Sequence, residues 1–464
     1  MDEGTRALSR FGLGGVGDQD PPANPRVWLE AQFKAYEARP AALSAAPSTA
    51  AMIELLVAAR DDRRARKEES AQTGTQMKGT DDTVPGPFRP LRDAYVEAAG
   101  MRTNAALSSP APFMERLVHF WSNHFAISID KAATLGFAGP FEFEAIRPHV
   151  LGTFGELLSA AEHHPAMLLY LDQAESIGPD SMLGARTARR GKQRGLNENL
   201  AREILELHTL GVRTGYSQDD VTEFSRALTG WTVGGLAKQP ALRGPGPQYW
   251  FAEPIHQPGT RSIMGKRYGQ SGEAQAQAVL DDLAVHPATA RHIATKLARH
   301  FAADVPPPAL IARLEQTFLT TRGDLPALYR VLIAAPEVWG GAAKFRNPWD
   351  WTLAALRVCQ IKAVPAKSAA TTLQQLGQAI WKPGSPAGYD DIAASWAGPD
   401  ALVRRVEVAQ RLAQRSSAGS DARKLAQRLF GSELSTATTA AIQRAESGEQ
   451  ALALLLSSPE MMRR

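Results

Sequence analysis

The sequence predicts a mainly α-helical fold: a large multi-helix globular array with a small β-hairpin insertion near residues 245–270. Three observations carry this. Apolar residues recur at three- and four-residue spacing along most of the 464-residue chain, the period of a helix with one buried face. Ala, Leu, Arg, Glu and Gln dominate those stretches, and such residues lose little on entering a helix. Strand-like alternation is rare, and its best example lies in a Gly- and Pro-rich stretch, 232–270.

Taken in order, the periodic segments are 27–38, 49–67, 110–127, 148–161, 197–210, 217–229, 272–285, 288–302, 307–320, 349–360, 401–414 and 435–446. Within 232–270 the runs "QYWFAEPIH" and "RSIMGKRYG" are the expected partners of the hairpin. Two stretches, 66–89 and 173–196, lack the apolar periodicity that would offset the entropy of ordering them and are expected to be mobile. A short pattern recurs in "LLSAAEHHPAM", "VLDDLAVHPAT", "VLIAAPEVW" and "LLLSSPEMM". In each, one helix stops and a proline opens the next, where its missing N–H matters least.

Composition narrows the function classes. A hydrophobic share of 44% with 22% charged residues fits a packed globular chain, expected to form one helical module over residues 1–464. Lys and Arg number 52 against 48 Asp and Glu, mostly interleaved, so no nucleic-acid partner is expected. The densest basic runs, 61–69 and 186–195, read as solvated loops, with polyanion binding through Arg186–Arg194 as a weaker alternative. The single cysteine, Cys359, excludes an internal disulfide framework and a multi-thiolate zinc site. No apolar run approaches the ~18 residues of a membrane span. The first residues lack a secretory pattern, from which a cytoplasmic location is expected. The oligomeric state is left open.

Chemistry-bearing residues concentrate in "GLNENLAREILELHTLG". At 100° per residue, Asn199, Arg202, Glu203 and Glu206 share one flank, while Leu200, Ala201, Ile204, Leu207 and His208 share the other. Glu198 and Glu206 flank Arg202 at four-residue spacing, the pattern of an ion-pair ladder. Equally, Glu203 and Glu206 lie one turn apart, close enough to perturb each other or share a metal. His208, on the apolar side, needs a partner. In "PFMERLVHFWSNHFAIS", His124 falls among Met114, Leu117, Phe120, Trp121 and Phe125, whereas His119, beside Arg116 and Asn123, is expected to be exposed. His256 sits in a loop between two prolines. "FGLGGVGD" at 11–18 follows a helical segment and reads as a turn. No nucleophile elbow, Walker loop, H-E-x-x-H pair or dinucleotide fingerprint is present.

These blocks, with "RFGLGG", "LGTFGELLSAAEHHPAMLLYLD", "GYSQDDVTEFSRALTGW", "HPATARHIATKLARHF" and "PAGYDDIAASW", resemble the bacterial domain-of-unknown-function family 1800 over almost the whole chain. The resemblance implies one helical module with no settled reaction, and members are often exported. It also implies that Asn123, His124, Asp172, Asn197, Asn199, Arg202, Glu203, Glu206, Trp231 and His256 are landmarks. Gln257 stands where the family usually has aspartate, and Tyr389 where it usually has tryptophan.

The leading expectation is an enzyme, a hydrolase or other acid/base catalyst acting on a polar, saccharide-like substrate. Glu203 or Glu206 would serve as general base or metal ligand and His124 and His208 as ligand or proton shuttle. Arg202 and Asn199 would clamp the substrate, Trp231 would stack on it, and Asn123, Asp172, Asn197 and His256 would complete the binding set. A divalent metal fits imidazole and carboxylate ligands, but the sequence does not choose between metal and none. The alternative is a non-catalytic binding or assembly protein in which the polar helix is a structural ion-pair network.

Overall fold

Helix starts are fixed by side-chain caps written into the sequence. In the computed structural model, which describes residues 3–17, 19–73, 86–189, 195–237, 240–341, 343–416 and 421–464, Thr153 and Glu156 form a capping box on helix Phe154–His163. Ser217 and Asp220 do the same for Gln218–Leu228. The recurring "HPA" punctuation has a physical basis: His164 and His286 each accept the N–H two residues on through Nδ1, at 3.1 Å. Pro165 and Pro287 then occupy the first helical position. An imidazole thus replaces the usual hydroxyl or carboxylate cap.

The protein is mainly α-helical, with two small antiparallel sheets among the described residues. The strands pair differently from the expected hairpin. Strand β1 (Trp231–Val233) pairs with β2 (Tyr249–Phe251), and β3 (Arg261–Ile263) pairs with β4 (Lys266–Tyr268). Met264 and Gly265 between β3 and β4 have φ of 50° and 76°, the left-handed pair of a tight hairpin turn. The Met264 N–H is held by Asp220 Oδ1 at 2.6 Å. That short-range turn closes the "RSIMGKRYG" run on itself, leaving "YWF" to pair with the strand that follows Gly230.

Other boundaries also differ from expectation. Helix Thr49–Thr73 runs on past the expected break at 66, and its basic run forms exposed ladders, Arg64–Glu68 at 2.9 Å and Arg66–Asp62 at 3.0 Å. Residues 74–85 of the expected linker lie outside the described residues. In 173–196, a 3-10 turn at Gln173–Glu175 and a helix at Met182–Ala188 are formed. Residues 190–194, most of the proposed polyanion segment, lie outside the description. Among the described residues no helix is long and apolar enough to cross a membrane.

Two apolar clusters share one helix, Pro348–Val358. Trp349 and Leu353 pack into the larger cluster, while Trp351, Ala354, Ala355 and Val358 pack into a second one built from residues of the last quarter. Each buried large side chain contributes about 1.5–3 kcal/mol by leaving water. Between the two clusters runs a charged seam. Buried Asp350 accepts from Arg116 at 2.9 Å and pairs with Arg464 at 3.1 Å. Burial would raise its carboxyl, but Arg116 and Arg464 hold it well below the usual range. Arg116 also donates to the carbonyls of Phe11 and Gly12, so the glycine-rich turn presents carbonyls to a cation instead of amides to a phosphate.

Candidate active site

Two helices build the wall of a cavity lined by imidazoles. Helix Pro112–His124 contributes Arg116, His119, Phe120, Asn123 and His124, and helix Pro287–Phe301 contributes His292, Lys296, Arg299 and His300. Both sets follow the helical repeat, so each is one continuous face. The cavity holds about 730 Å³ and is closed by Trp349, Trp381, Tyr389 and Asp391, among others. That volume suits a small-molecule ligand.

Four imidazoles line it, and in three the hydrogen bond at one ring nitrogen to a main-chain carbonyl or a carboxylate makes that nitrogen the donor. His124 Nε2–H donates to the His208 carbonyl at 3.1 Å, and His292 Nε2–H donates to the Leu207 carbonyl at 3.1 Å. These carbonyls end a π-helical turn, Ile204–His208, that continues helix Asn199–Glu203, and helix ends leave carbonyls needing donors. His300 Nδ1–H donates to Asp391 Oδ2 at 2.7 Å. The fourth ring, His119, accepts at Nδ1 from Trp349 Nε1–H at 3.0 Å.

The opposite nitrogens of three of these rings, His124 Nδ1, His300 Nε2 and His119 Nε2, are buried without a hydrogen-bond partner. The first two therefore carry lone pairs and the third an N–H. Burial is the main reason that His119 and His124 are held well below the ordinary imidazole range. It also brings His292 and His300 down to about 4. Burial alone would raise Asp391, yet His300, Lys344 and Arg464 hold its carboxyl at about 2. Near neutral pH the result is a neutral imidazole oriented by an ionised carboxylate, the arrangement of a general base.

The loop that carries Asp391 is fixed to the wall by Asn123. Its side chain donates from Nδ2 to the Tyr389 carbonyl at 2.8 Å and accepts the Tyr389 N–H at Oδ1, 2.7 Å away. Gly388 has φ +81°, and a Cβ there would lie 2.2 Å from the Asn123 carbonyl oxygen. Only glycine allows that approach.

The sequence model of the family described as "Protein of unknown function (DUF1800)" matches residues 6–463. The chain belongs to this family. No curated protein and no solved structure matches it.

In this DUF1800 protein, the residues singled out from sequence separate into several places. Asn123 and His124 line the cavity. His208 lies behind it, fully buried, with Nδ1 at 2.7 Å from Glu162 Oε1, itself fully buried. Glu203 is half-buried, has no hydrogen bond or ion pair with a described residue, and burial raises its carboxyl. Arg202 lies 3.3 Å from Glu198 and 3.5 Å from Glu206, and Glu198 also accepts from Gln218 and Thr222. Asp172 pairs with Lys131 at 2.7 Å. Asn197 donates to the Asp172 carbonyl and accepts the Asn199 N–H. Asn197 and Asn199 border a different hollow from His124.

Trp231 is fully buried, and its ring lies against His163 with centroids 4.0 Å apart. His256 is buried, with Nδ1 at 2.7 Å from the Thr229 carbonyl. The departure at Gln257 is compensated locally, because its amide donates to Asp180 Oδ2 at 2.8 Å and accepts the Asp180 N–H at 2.9 Å. A carboxylate there would face another carboxylate.

His119 is buried against Trp349 and lines the cavity, contrary to the exposure expected from its wheel position. The wheel assigned one apolar face, whereas this helix is covered on nearly every side. Sequence reasoning also passed over His292, Lys296, His300 and Asp391. A signal was available: His292, Lys296 and His300 recur every fourth residue in a helix, Pro287–Phe301, that contains no acid to pair with them.

Among the described residues, no group of three or more His, Cys, Asp or Glu side chains is gathered to hold a metal ion. The lone thiol, Cys359, is buried, and burial raises it to about 11.

Proposed function

We propose that this protein is an acid/base enzyme of hydrolase type, and that a polar, saccharide-like substrate is processed in the cavity between helices Pro112–His124 and Pro287–Phe301. One observation carries the reading: His300 is held by Asp391 at Nδ1 while Nε2, on a cavity-lining ring, has no partner. In the proposed step, Nε2 accepts a proton from water as the water oxygen bonds to the electrophilic carbon or phosphorus. The electron pair of the breaking bond leaves with the departing oxygen, which then takes the proton back from His300. Asp391 stabilises the transient imidazolium. His124 Nδ1 supplies a second acceptor, and Asn123 positions the loop bearing Asp391.

A non-catalytic assembly role draws on a different observation, the network in which Glu198 joins Arg202, Gln218 and Thr222 across two helices. It accounts for the polar helix without chemistry, and leaves the unpartnered cavity nitrogens unexplained.

The test is a screen of the full chain against p-nitrophenyl esters, phosphates and glycosides. Turnover is expected, and His300→Gln should lower kcat/KM by about 10²–10⁴-fold with the melting temperature retained. Asp391→Asn should lower it while the fold remains. No turnover on any class, or a His300→Gln variant as active as the parent, contradicts the proposal.

A further inference from the structure

Charge on the cavity wall is unbalanced once each group is followed to its partner. Asp350 is held by Arg116 and Arg464. Asp391 is held by His300 at 2.7 Å and Lys344 at 3.4 Å, and Asp304 by Lys344 at 2.7 Å. Asp390 lies exposed and accepts from Ser395. Among the cations, Arg102 is bound to Glu142 at 2.8 Å, with its guanidinium 4.2 Å from the Trp349 ring centre, and Arg299 donates to the Asp304 carbonyl at 3.3 Å.

Lys296 is the exception, because it lines the cavity and has no hydrogen bond or ion pair with any described residue; Asp391 acts on it only at a distance and is already held by His300 and Lys344. One turn away on either side stand His292 and His300, and His124, on the other helix of the wall, lies within range of its charge. An imidazole is either neutral or cationic, so none of the three can serve as its counter-ion, and all three are held neutral by burial. Burial brings the Lys296 ammonium down only to about 8, so it remains largely charged at neutral pH. A partly desolvated cation without a direct ion-pair partner is unfavourable in the empty protein and becomes favourable when an anion enters. His119, with its buried unpartnered N–H on the same cavity, adds a second donor.

We infer that the ligand of this cavity bears a carboxylate or phosphate group and that Lys296 is its counter-ion. A lysine is a compact point charge that accepts either anion, so their shared chemistry is what the geometry selects. The inference rests on the proposed function only in taking this cavity as the ligand site.

The test is calorimetric titration of the full chain with glucuronate and glucose 6-phosphate, with glucose as the neutral control. At least one anionic sugar is expected to bind roughly tenfold or more tightly than glucose, and the two anions tell carboxylate from phosphate. Lys296→Met should abolish that preference, Lys296→Arg should restore part of it, and His300→Gln should keep it. Lys296→Gln replaces the methionine variant if the latter melts early. Equal affinity for all three sugars, or an unchanged preference in a folded Lys296→Met protein, overturns the inference. The two readings fail separately. Anion preference with full turnover in His300→Gln removes only the base, whereas His300-dependent turnover without anion preference removes only the counter-ion.

Discussion

The wall of the cavity and the segment Glu198–His208 use much the same residue types, yet their polar groups are satisfied in opposite ways. On the segment, Arg202 pairs with Glu198 and Glu206, Glu198 takes two further donors, and His208 meets Glu162 in the core. Glu203 is left over, as is the Nε2 of His208, which is buried away from this cavity. On the cavity wall, His119, His124 and His300 each leave a ring nitrogen unpartnered, and Lys296 has no counter-ion. The comparison teaches that a dense polar helix can be satisfied largely within itself, whereas the cavity wall keeps buried polar groups unpartnered beside a void. The two regions also touch. The segment's terminal carbonyls, at Leu207 and His208, fix the tautomers of His292 and His124, so it supports the cavity without lining most of it.

The sharpest way to break this contrast is to remove Glu162. If the segment is structural, Glu162→Ala leaves a buried ring nitrogen of His208 without its partner and should destabilise the protein by about 1–3 kcal/mol, read from urea unfolding. A loss below about 1 kcal/mol would mean that the pair adds little and that the segment is free for another role.

An intermediate effect concerns pH. His292 and His300 are held at about 4 when folded, against about 6.5 in an unfolded chain. Folding stability should therefore be at its full value above pH ~6.5 and fall as the pH drops towards ~4, because the unfolded chain binds protons that the folded one refuses. His292→Gln should flatten that slope in unfolding curves taken between those values. A slope equal to that of the parent would show that this imidazole is not kept neutral by the cavity.

The smallest effect is expected on the exposed ladder. Arg202→Ala should change stability by about 0–1 kcal/mol and leave turnover within a few-fold. A large loss of activity would return the chemistry to the polar helix.

Helical periodicity made the fold class legible, and the "HPA" starts could be read because proline and a capping side chain act locally. Strand partners were not legible: "YWF" pairs with a strand 16 or more residues earlier, a choice made by the tight Met264–Gly265 turn. For the candidate site, His124 could be found as an imidazole on an apolar face. His300 and Asp391 stand 91 residues apart, and only folding brings them together. His119 was misplaced because a wheel gives the direction of a side chain but not what covers it. Trp231 and His256 are conspicuous in the sequence, yet their polar or aromatic faces are occupied by His163 and Thr229.

The most direct measurement sets the two regions against each other in one assay. On whichever chromogenic substrate the parent turns over, kcat/KM is compared for His300→Gln and Glu203→Gln, each checked for a normal melting temperature. A fall of about a hundredfold or more in the first, with the second within a few-fold of the parent, is the predicted result. The reverse, an intact His300→Gln and an inactive Glu203→Gln, would place the reaction on the polar helix and contradict the account.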